Sequence, residues 1–252
     1  MFEIKDQVAV VSGAASGIGS AIAIGLAEAG ANIIILDLPS MQDLASDLVD
    51  NILSQGLKAA YIPLDLRNVS DIEKAFTKVI KAYGKIDILV NNAGVNILRP
   101  ALNLTESEWD QILSTNLKGT FFCAKEAARY MIRRRKGCII NIASQFGIVG
   151  YRYRAAYSAS KAGIIGLTRT LAAEWAPFNI RVNSISPTIV QKEINSWLLE
   201  SEEFKQEMLS KIPLGRFCCH EDILGAVIYL SSEEASMITG HNLVIDGGWT
   251  AV

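Results

Sequence analysis

The sequence predicts an α/β fold, a doubly wound parallel sheet of about seven strands with helices on both faces. Three observations carry that prediction. Short apolar, β-branched runs alternate with helix-patterned stretches along the whole chain, which puts parallel strands in one sheet and crossover helices over it. The first run, Gln7 to Ser12 (QVAVVS), passes through a glycine-rich turn into an alanine-rich helix. No internal repeat, linker or low-complexity tract interrupts the alternation, so residues 1–252 are expected to form a single domain.

Composition narrows the function classes. The chain has 252 residues, 50% of them hydrophobic, enough for one large core. Net charge is −2 with both signs well mixed, so neither nucleic acid nor a membrane surface is expected as a partner. The one long basic run, Arg133 to Lys136, falls where a helix should end before a strand, and cations suit that position. The four cysteines (Cys123, Cys138, Cys218, Cys219) lack C-x-x-C spacing, and the two histidines are too few for a zinc cluster, so no metal site is expected. Met1 to Asp6 has no apolar core of a signal peptide, and no apolar run is long enough to cross a bilayer. A reduced, cytoplasmic setting is the expectation.

The elements follow in order. Gln7 to Ser12 is the first strand. Gly13, Ser16, Gly17, Ile18 and Gly19 form the turn, and Ser20 to Ala29 the helix, which stops at Gly30. Ala31 to Leu36 is the second strand, closed by Asp37. Strand, glycine turn, helix, strand and acid is the context in which such a turn binds a dinucleotide. Glycines admit a pyrophosphate close to the backbone, and the helix N-terminus offers N–H groups to its charge. Asp37 at the end of the second strand can accept from ribose hydroxyls and would repel a 2′-phosphate; Ser16 and Leu38 supply no offsetting cation. NAD is therefore expected over NADP.

Met41 to Ser54 reads as a helix and Lys58 to Pro63 as a strand ending near Asp65. Ser70 with Glu73 reads as a capping box opening a helix that Gly84 stops. Ile86 to Val90 is the fourth strand, followed directly by Asn91-Asn92-Ala93-Gly94, a turn suited to lie beside a ligand. Thr105 and Glu108 form a second capping box for one long helix carrying Trp109, Asn116 and Cys123. Gly137 to Ala143 is the fifth strand and delivers Ser144 at its C-terminal end, where ligands bind in such sheets. Tyr157 and Lys161, four residues apart, share one face of the next helix. An ammonium near a phenol favours the phenolate, by about three pKa units at roughly 4 Å and an effective dielectric of about 20. That would make Tyr157 a usable acid–base group. Arg181 to Ser186 is the sixth strand, Pro187 to Lys211 a long polar crossover, Asp222 to Ser231 a helix, and Asn242 to Ile245 the last strand.

These residues together resemble the short-chain dehydrogenase/reductase family. The resemblance runs from Ser12 to Gly248 and rests on the Gly13–Gly19 turn, Asn91-Asn92-Ala93-Gly94, Asn116, Ser144, Tyr157 to Lys161, and Asp246-Gly247-Gly248. It implies a Rossmann-type domain and NAD(P)(H)-linked alcohol–carbonyl interconversion. It gives Tyr157 the proton, Ser144 the substrate oxygen, Lys161 the nicotinamide ribose, and Asn116 a water linking Lys161 to solvent. It places Asp65 and Leu66 at the adenine, and Asn91, Ala93, Gly94, Pro187 and Val190 along the cofactor. Lys192 stands where the family commonly has Thr.

A substrate loop is expected at about 189–211, with Trp197 as a wall and Asn96, Gln145 and Tyr151 around the mouth. Polar Asn96, Gln145 and Gln191 point to a hydroxylated substrate, a small polyol or keto-sugar. The alternatives are an acyl-carrier-protein ketoreductase, with Arg129, Arg133 and Arg134 as a docking patch, and a non-catalytic cofactor-sensing protein. Surplus apolar residues on the helices of 109–133 and 155–176 lead to the expectation of a homotetramer.

Overall fold

In the computed structural model, residues 2–191 and 201–252 are described. Strand β1 (Val8–Ser12) is buried along its whole length. Its side chains alternate between faces, so Ala9 and Val11 join one core while Val8 and Val10 join the other. It pairs in parallel with β2 (Asn32–Asp37) on one side and β4 (Ile88–Asn91) on the other. β3 (Ala59–Pro63) lies outside β2; β5 (Gly137–Ile142), β6 (Ile180–Pro187) and β7 (Asn242–Ile245) extend the sheet beyond β4. Among the described residues the order is β3-β2-β1-β4-β5-β6-β7, all parallel, as the alternation predicts. The chain changes winding direction between β1 and β4, which opens a crevice above their C-terminal ends.

Helices α1 (Gly17–Glu28) and α2 (Gln42–Ser54) cover one face of the sheet, and α3 (Val69–Tyr83) the other. After β4 come α4 (Glu106–Leu113) and α5 (Thr120–Arg134), and after β5 comes α6 (Ala155–Trp175). The last two are α7 (Glu202–Leu209) and α8 (His220–Ser231). Cys123 and Met131 of α5 and Leu171 and Trp175 of α6 pack with α3, whereas Ile223 and Val227 of α8 join the α1 side.

Two helix starts test the sequence reading. The Thr105–Glu108 capping box forms in both directions. The Ser70–Glu73 box does not. Asp65 and Arg67 already tighten the chain, with the Asn68 N–H donating to the Asp65 carbonyl at 3.0 Å, so α3 begins at Val69 behind Asn68. The expected single helix through Asn116 is also divided. Ser114–Gly119 is a π-helical segment between α4 and α5.

The basic run ends α5, as expected. Arg134 pairs with buried Asp87 at 2.9 Å, Lys136 with Glu233 at 2.6 Å, and Arg135 adopts the left-handed C-cap. Burial would raise the Asp87 carboxyl, but the Val8 N–H, Lys85 and Arg134 hold it below the usual carboxylate range. All four cysteines are free, and the described residues hold no cluster that could bind a metal. No described helix is long and apolar enough to cross a membrane.

Candidate active site

The crevice is a cavity of about 650 Å³ running from Asp37 to Tyr157. Its floor joins the turn after β1 to the turn after β4. Asn92 Nδ2 donates to the carbonyls of Gly13 (2.9 Å) and Ser12 (3.2 Å), while Ser12 Oγ accepts the N–H groups of Asn92 (3.1 Å) and Ala93 (3.2 Å). Gly13 has φ +63°, and a Cβ there would stand 2.6 Å from Ala93 Cα; one on Gly19 would stand 2.0 Å from the Gly13 carbonyl oxygen. The Ser16 side chain makes no capping bond, so the first N–H groups of α1 lack a side-chain acceptor. A close-approach glycine cradle at an uncapped helix N-terminus fits a pyrophosphate.

At one end, Asp37 Oδ2 accepts the Ala15 N–H at 2.9 Å and Oδ1 accepts the Leu38 N–H at 2.8 Å. The carboxylate is thereby oriented, and each oxygen keeps a lone pair for a ribose hydroxyl. Asp65 and Leu66 line the same end. Arg67 grips the Asp65 carboxylate, Nη2 at 2.6 Å, and keeps it below its ordinary pKa range. Arg67 lines this end too, a cation the sequence reading did not place there.

At the other end, Ser144 follows β5, and its Oγ accepts the Phe146 N–H at 3.2 Å. Ser144 and Tyr157 line the cavity together. Lys161 lies one turn beyond Tyr157 on α6; its Nζ donates to the Ile142 carbonyl at 2.7 Å and lies 5.6 Å from the centre of the Tyr157 ring. A Cβ on Gly147 would come within 2.7 Å of the Lys161 carbonyl carbon, so the turn carrying Ser144 lies flush on the α6 backbone.

The electrostatics correct one expectation. Burial raises the Tyr157 phenol; the Ser144 hydroxyl and then the Arg154 charge oppose that rise. Burial also pushes the Lys161 ammonium down to about 8. Lys161 therefore does not draw the phenol down by the three units expected for direct contact. Its ammonium is turned to Ile142 and faces the ring.

Asn116 sits in the π-segment and is fully buried. Its Oδ1 accepts the Val95 N–H at 2.8 Å, and its Nδ2 donates to the Val95 carbonyl (2.9 Å) and Ser160 Oγ (3.1 Å). The Asn116 carbonyl accepts from the Thr120 hydroxyl at 2.7 Å. A π-segment shifts the register of the helix, and such segments recur at functional sites.

Ser16, Ile18, Ala93, Gly94, Asn96, Pro187 and Val190 line the cavity, as the sequence reading has them. Gly17 and Gly19 lie in the first turn of α1, which begins three residues earlier than the expected Ser20. Asn91 does not face the cavity. It is buried in the sheet, donating to Asn141 Oδ1 at 2.9 Å, and Asn92 is the asparagine on the lining. Gln145 is fully buried, its amide without a partner, and is not on the lining. Tyr151 is also off the lining: its hydroxyl donates to Glu207 at 2.8 Å and its ring packs on Phe146 and Trp249. Trp197 and Lys192 lie outside the described residues.

A family model described as enoyl-(acyl carrier protein) reductase matches residues 13–250. The NAD-dependent glycerol dehydrogenase of Listeria innocua serovar 6a is 41% identical over 252 residues, 99% of this chain and 96% of that protein. The chain belongs to the short-chain dehydrogenase/reductase family. Solved structures agree. A protein from Sinorhizobium meliloti 1021, described as a short-chain alcohol dehydrogenase, superimposes with TM-score 0.94 at 39% identity, covering 99% of this chain and 98% of that one. A gluconate 5-dehydrogenase from Burkholderia cenocepacia J2315, solved with NADP and tartrate, gives TM-score 0.95 at 32% identity, covering 100% and 98%. This short-chain dehydrogenase/reductase is an NAD(P)-linked oxidoreductase that interconverts alcohols and carbonyls.

Proposed function

We propose that this short-chain dehydrogenase/reductase oxidises a secondary hydroxyl of a small polyol, or reduces the matching keto-sugar, with NAD(H). The observation that carries the reading is a single cavity lined by Ser144, Tyr157 and Lys161 and also by Asp37. When bound, the dinucleotide supplies or accepts the hydride. Tyr157 moves the proton of the reacting oxygen, and Ser144 donates to that oxygen and fixes its direction. Lys161 holds the ribose beside them. Asn116 is a positioning residue: it fastens Val95 and Ser160 around Lys161. Gly13, Ser16, Gly17, Ile18 and Gly19 take the pyrophosphate, Asp37 the ribose hydroxyls, and Asp65 and Leu66 the adenine.

The relative described as an NAD-dependent glycerol dehydrogenase supports both NAD and a polyol. Asp37 supports NAD on physical grounds, and the NADP in the Burkholderia structure makes cofactor choice a matter for measurement. An acyl-carrier-protein reductase is the second reading, supported by relatives of that description, and its expected docking patch is partly engaged. Of the arginines that could dock an acidic carrier, Arg129 pairs with Glu126 and Arg134 with Asp87. A homotetramer in the cytoplasm completes the reading. Its support is the apolar groove of Leu113, Leu117, Phe121 and Leu167 between α4, α5 and α6. Light scattering at micromolar concentration checks the assembly, and a mass near 27 kDa defeats it.

The deciding experiment assays a panel of polyols and ketones with NAD and with NADP. Turnover of a polyol or keto-sugar with NAD supports the reading. Turnover of acyl thioesters alone favours the carrier-protein reductase. Dinucleotide binding without turnover of any kind favours a cofactor-sensing protein.

A further inference from the structure

Arg154 stands one residue before α6 and three before Tyr157, on the lining of the same cavity. It is 9% exposed. Its guanidinium carbon lies over the Phe146 ring, 4.6 Å from the centre. Its buried Nε has no hydrogen-bond acceptor, and among the described residues no carboxylate pairs with it. The other cavity cations are provided for: Arg67 is paired with Asp65, and Lys161 donates to Ile142. The neighbouring Arg152 is paired with Glu207.

A buried arginine cannot shed its proton, so an unpaired one is unfavourable. Stacking on one ring offsets only part of that. The described lining contains two acids, Asp37 and Asp65, both at the adenosine end. Among the described lining residues, the end that holds Ser144 and Tyr157 therefore carries Lys161 and Arg154 and no acid. Asn96 and Thr188 are neutral polar residues on the same lining. The guanidinium presents a planar fork of N–H donors, the shape that matches a carboxylate.

The geometry points to Arg154 as the residue that binds a carboxylate of the substrate, so that among polyol-like substrates a polyhydroxy acid or its oxo acid is preferred over its neutral counterpart. This rests on the proposed alcohol–ketone reaction at Tyr157 and narrows its substrate class. The carboxylate is held on the same wall as the reacting oxygen. Arg154 thus acts on specificity and binding, while the proton chemistry stays with Tyr157.

The test uses matched pairs with NAD: gluconate against glucitol, and glycerate against glycerol. In the wild-type enzyme, kcat/KM for an acid should exceed that for its neutral partner by at least about tenfold, since one charge-assisted pair contributes that much or more. Arg154→Gln should bring the ratio close to one, chiefly through KM, and Arg154→Lys should restore part of it. Equal or better turnover of neutral polyols by wild type overturns the assignment, as does a ratio that Arg154→Gln leaves unchanged. Preference for a polyol phosphate over the carboxylate overturns it as well.

A binding arm separates this from the reaction itself. Calorimetry of gluconate with the enzyme–NADH complex should show about thirtyfold weaker binding in Arg154→Gln. Absence of turnover for every pair would defeat the alcohol–ketone reading, and the calorimetry would still decide Arg154. Melting and NADH affinity report whether the Gln variant is folded. Where it is not, the wild-type comparison and Arg154→Lys carry the test.

Discussion

Lys161 and Tyr157 share one buried face of α6, the ammonium 5.6 Å from the centre of the phenol ring and anchored to Ile142 by a 2.7 Å hydrogen bond. Burial drives both toward their neutral forms: the phenol rises and the ammonium falls to about 8. The site therefore holds two groups away from the protonation behaviour each would have in water, and that has separable consequences for turnover and for stability.

Replacing Tyr157 by Phe should remove turnover and leave NADH binding largely intact. The phenol acts in the chemical step, and the described contacts place it at the far end from Asp37. Steady-state rates and NADH titration check this. More than about a tenth of wild-type kcat would remove Tyr157 from the reaction.

Lys161→Met should abolish activity yet raise the melting temperature at pH 7. The lysine's folded-state pKa lies near 8 against an ordinary 10.5, a penalty of about 3 kcal/mol when charged. Losing the Ile142 hydrogen bond returns about 1 kcal/mol. The net gain should be roughly 5 °C for a chain of this size. The sign with pH is fixed. The penalty is fully present below about 8 and fades as pH rises toward 10.5, because there the unfolded chain binds the extra proton. Melting curves from pH 7 to 10 should thus show the two proteins converging, and parallel curves would refute the argument.

Asp37 should favour NAD over NADP by at least about 2 kcal/mol, roughly thirtyfold, through repulsion and a lost acceptor. Asp37→Asn should narrow that gap by removing the charge while keeping an oxygen for the Ala15 N–H. Asp37→Ala should narrow it too, but with a lower melting temperature, since Ala15 loses its partner. The measurement is kcat/KM for both cofactors with one good substrate. Equal values in the unmodified enzyme would show that Arg67, released from Asp65, takes the 2′-phosphate instead.

Asn116→Ala should cost about 2–4 kcal/mol, because three hydrogen bonds vanish, the one to Ser160 buried and the two to Val95 part-buried, and leave polar backbone uncompensated. A drop of roughly 5–10 °C in Tm is expected, with lower activity as Lys161 loosens. Calorimetry and rates on the same preparation check both. An unchanged melting temperature would mean that another group satisfies Val95.

How far the site could be read ahead depended on the range of the forces involved. The strand, helix and Asp37 are specified locally, and so is the Thr105–Glu108 cap; all appear, with the helix starting at Gly17 rather than Ser20. The start of α3 was misplaced because Asp65 and Arg67 tighten the chain upstream of Ser70. The π-segment at Asn116 has no local signature, for its partners Val95 and Ser160 are 21 and 44 residues away. Choosing between Asn91 and Asn92 required the parity of β4, which no composition rule gives. Arg154 has no signal in the sequence because an arginine looks exposed until packing removes its water, and Arg67 has none because its place at the cavity rim depends on the long-range pairing of β2 and β3.

Gly147 bears on all of this from outside the reacting groups. The distance between the Ser144 turn and α6 is set by main chain resting on main chain, with no side chain acting as a shim. Such a joint cannot be repacked. One methyl group at 147 would meet the Lys161 and Ala162 main chain at 2.7–2.9 Å and push the Ser144 turn away from α6. The seating of that turn on α6 is thus secured by a single hydrogen atom.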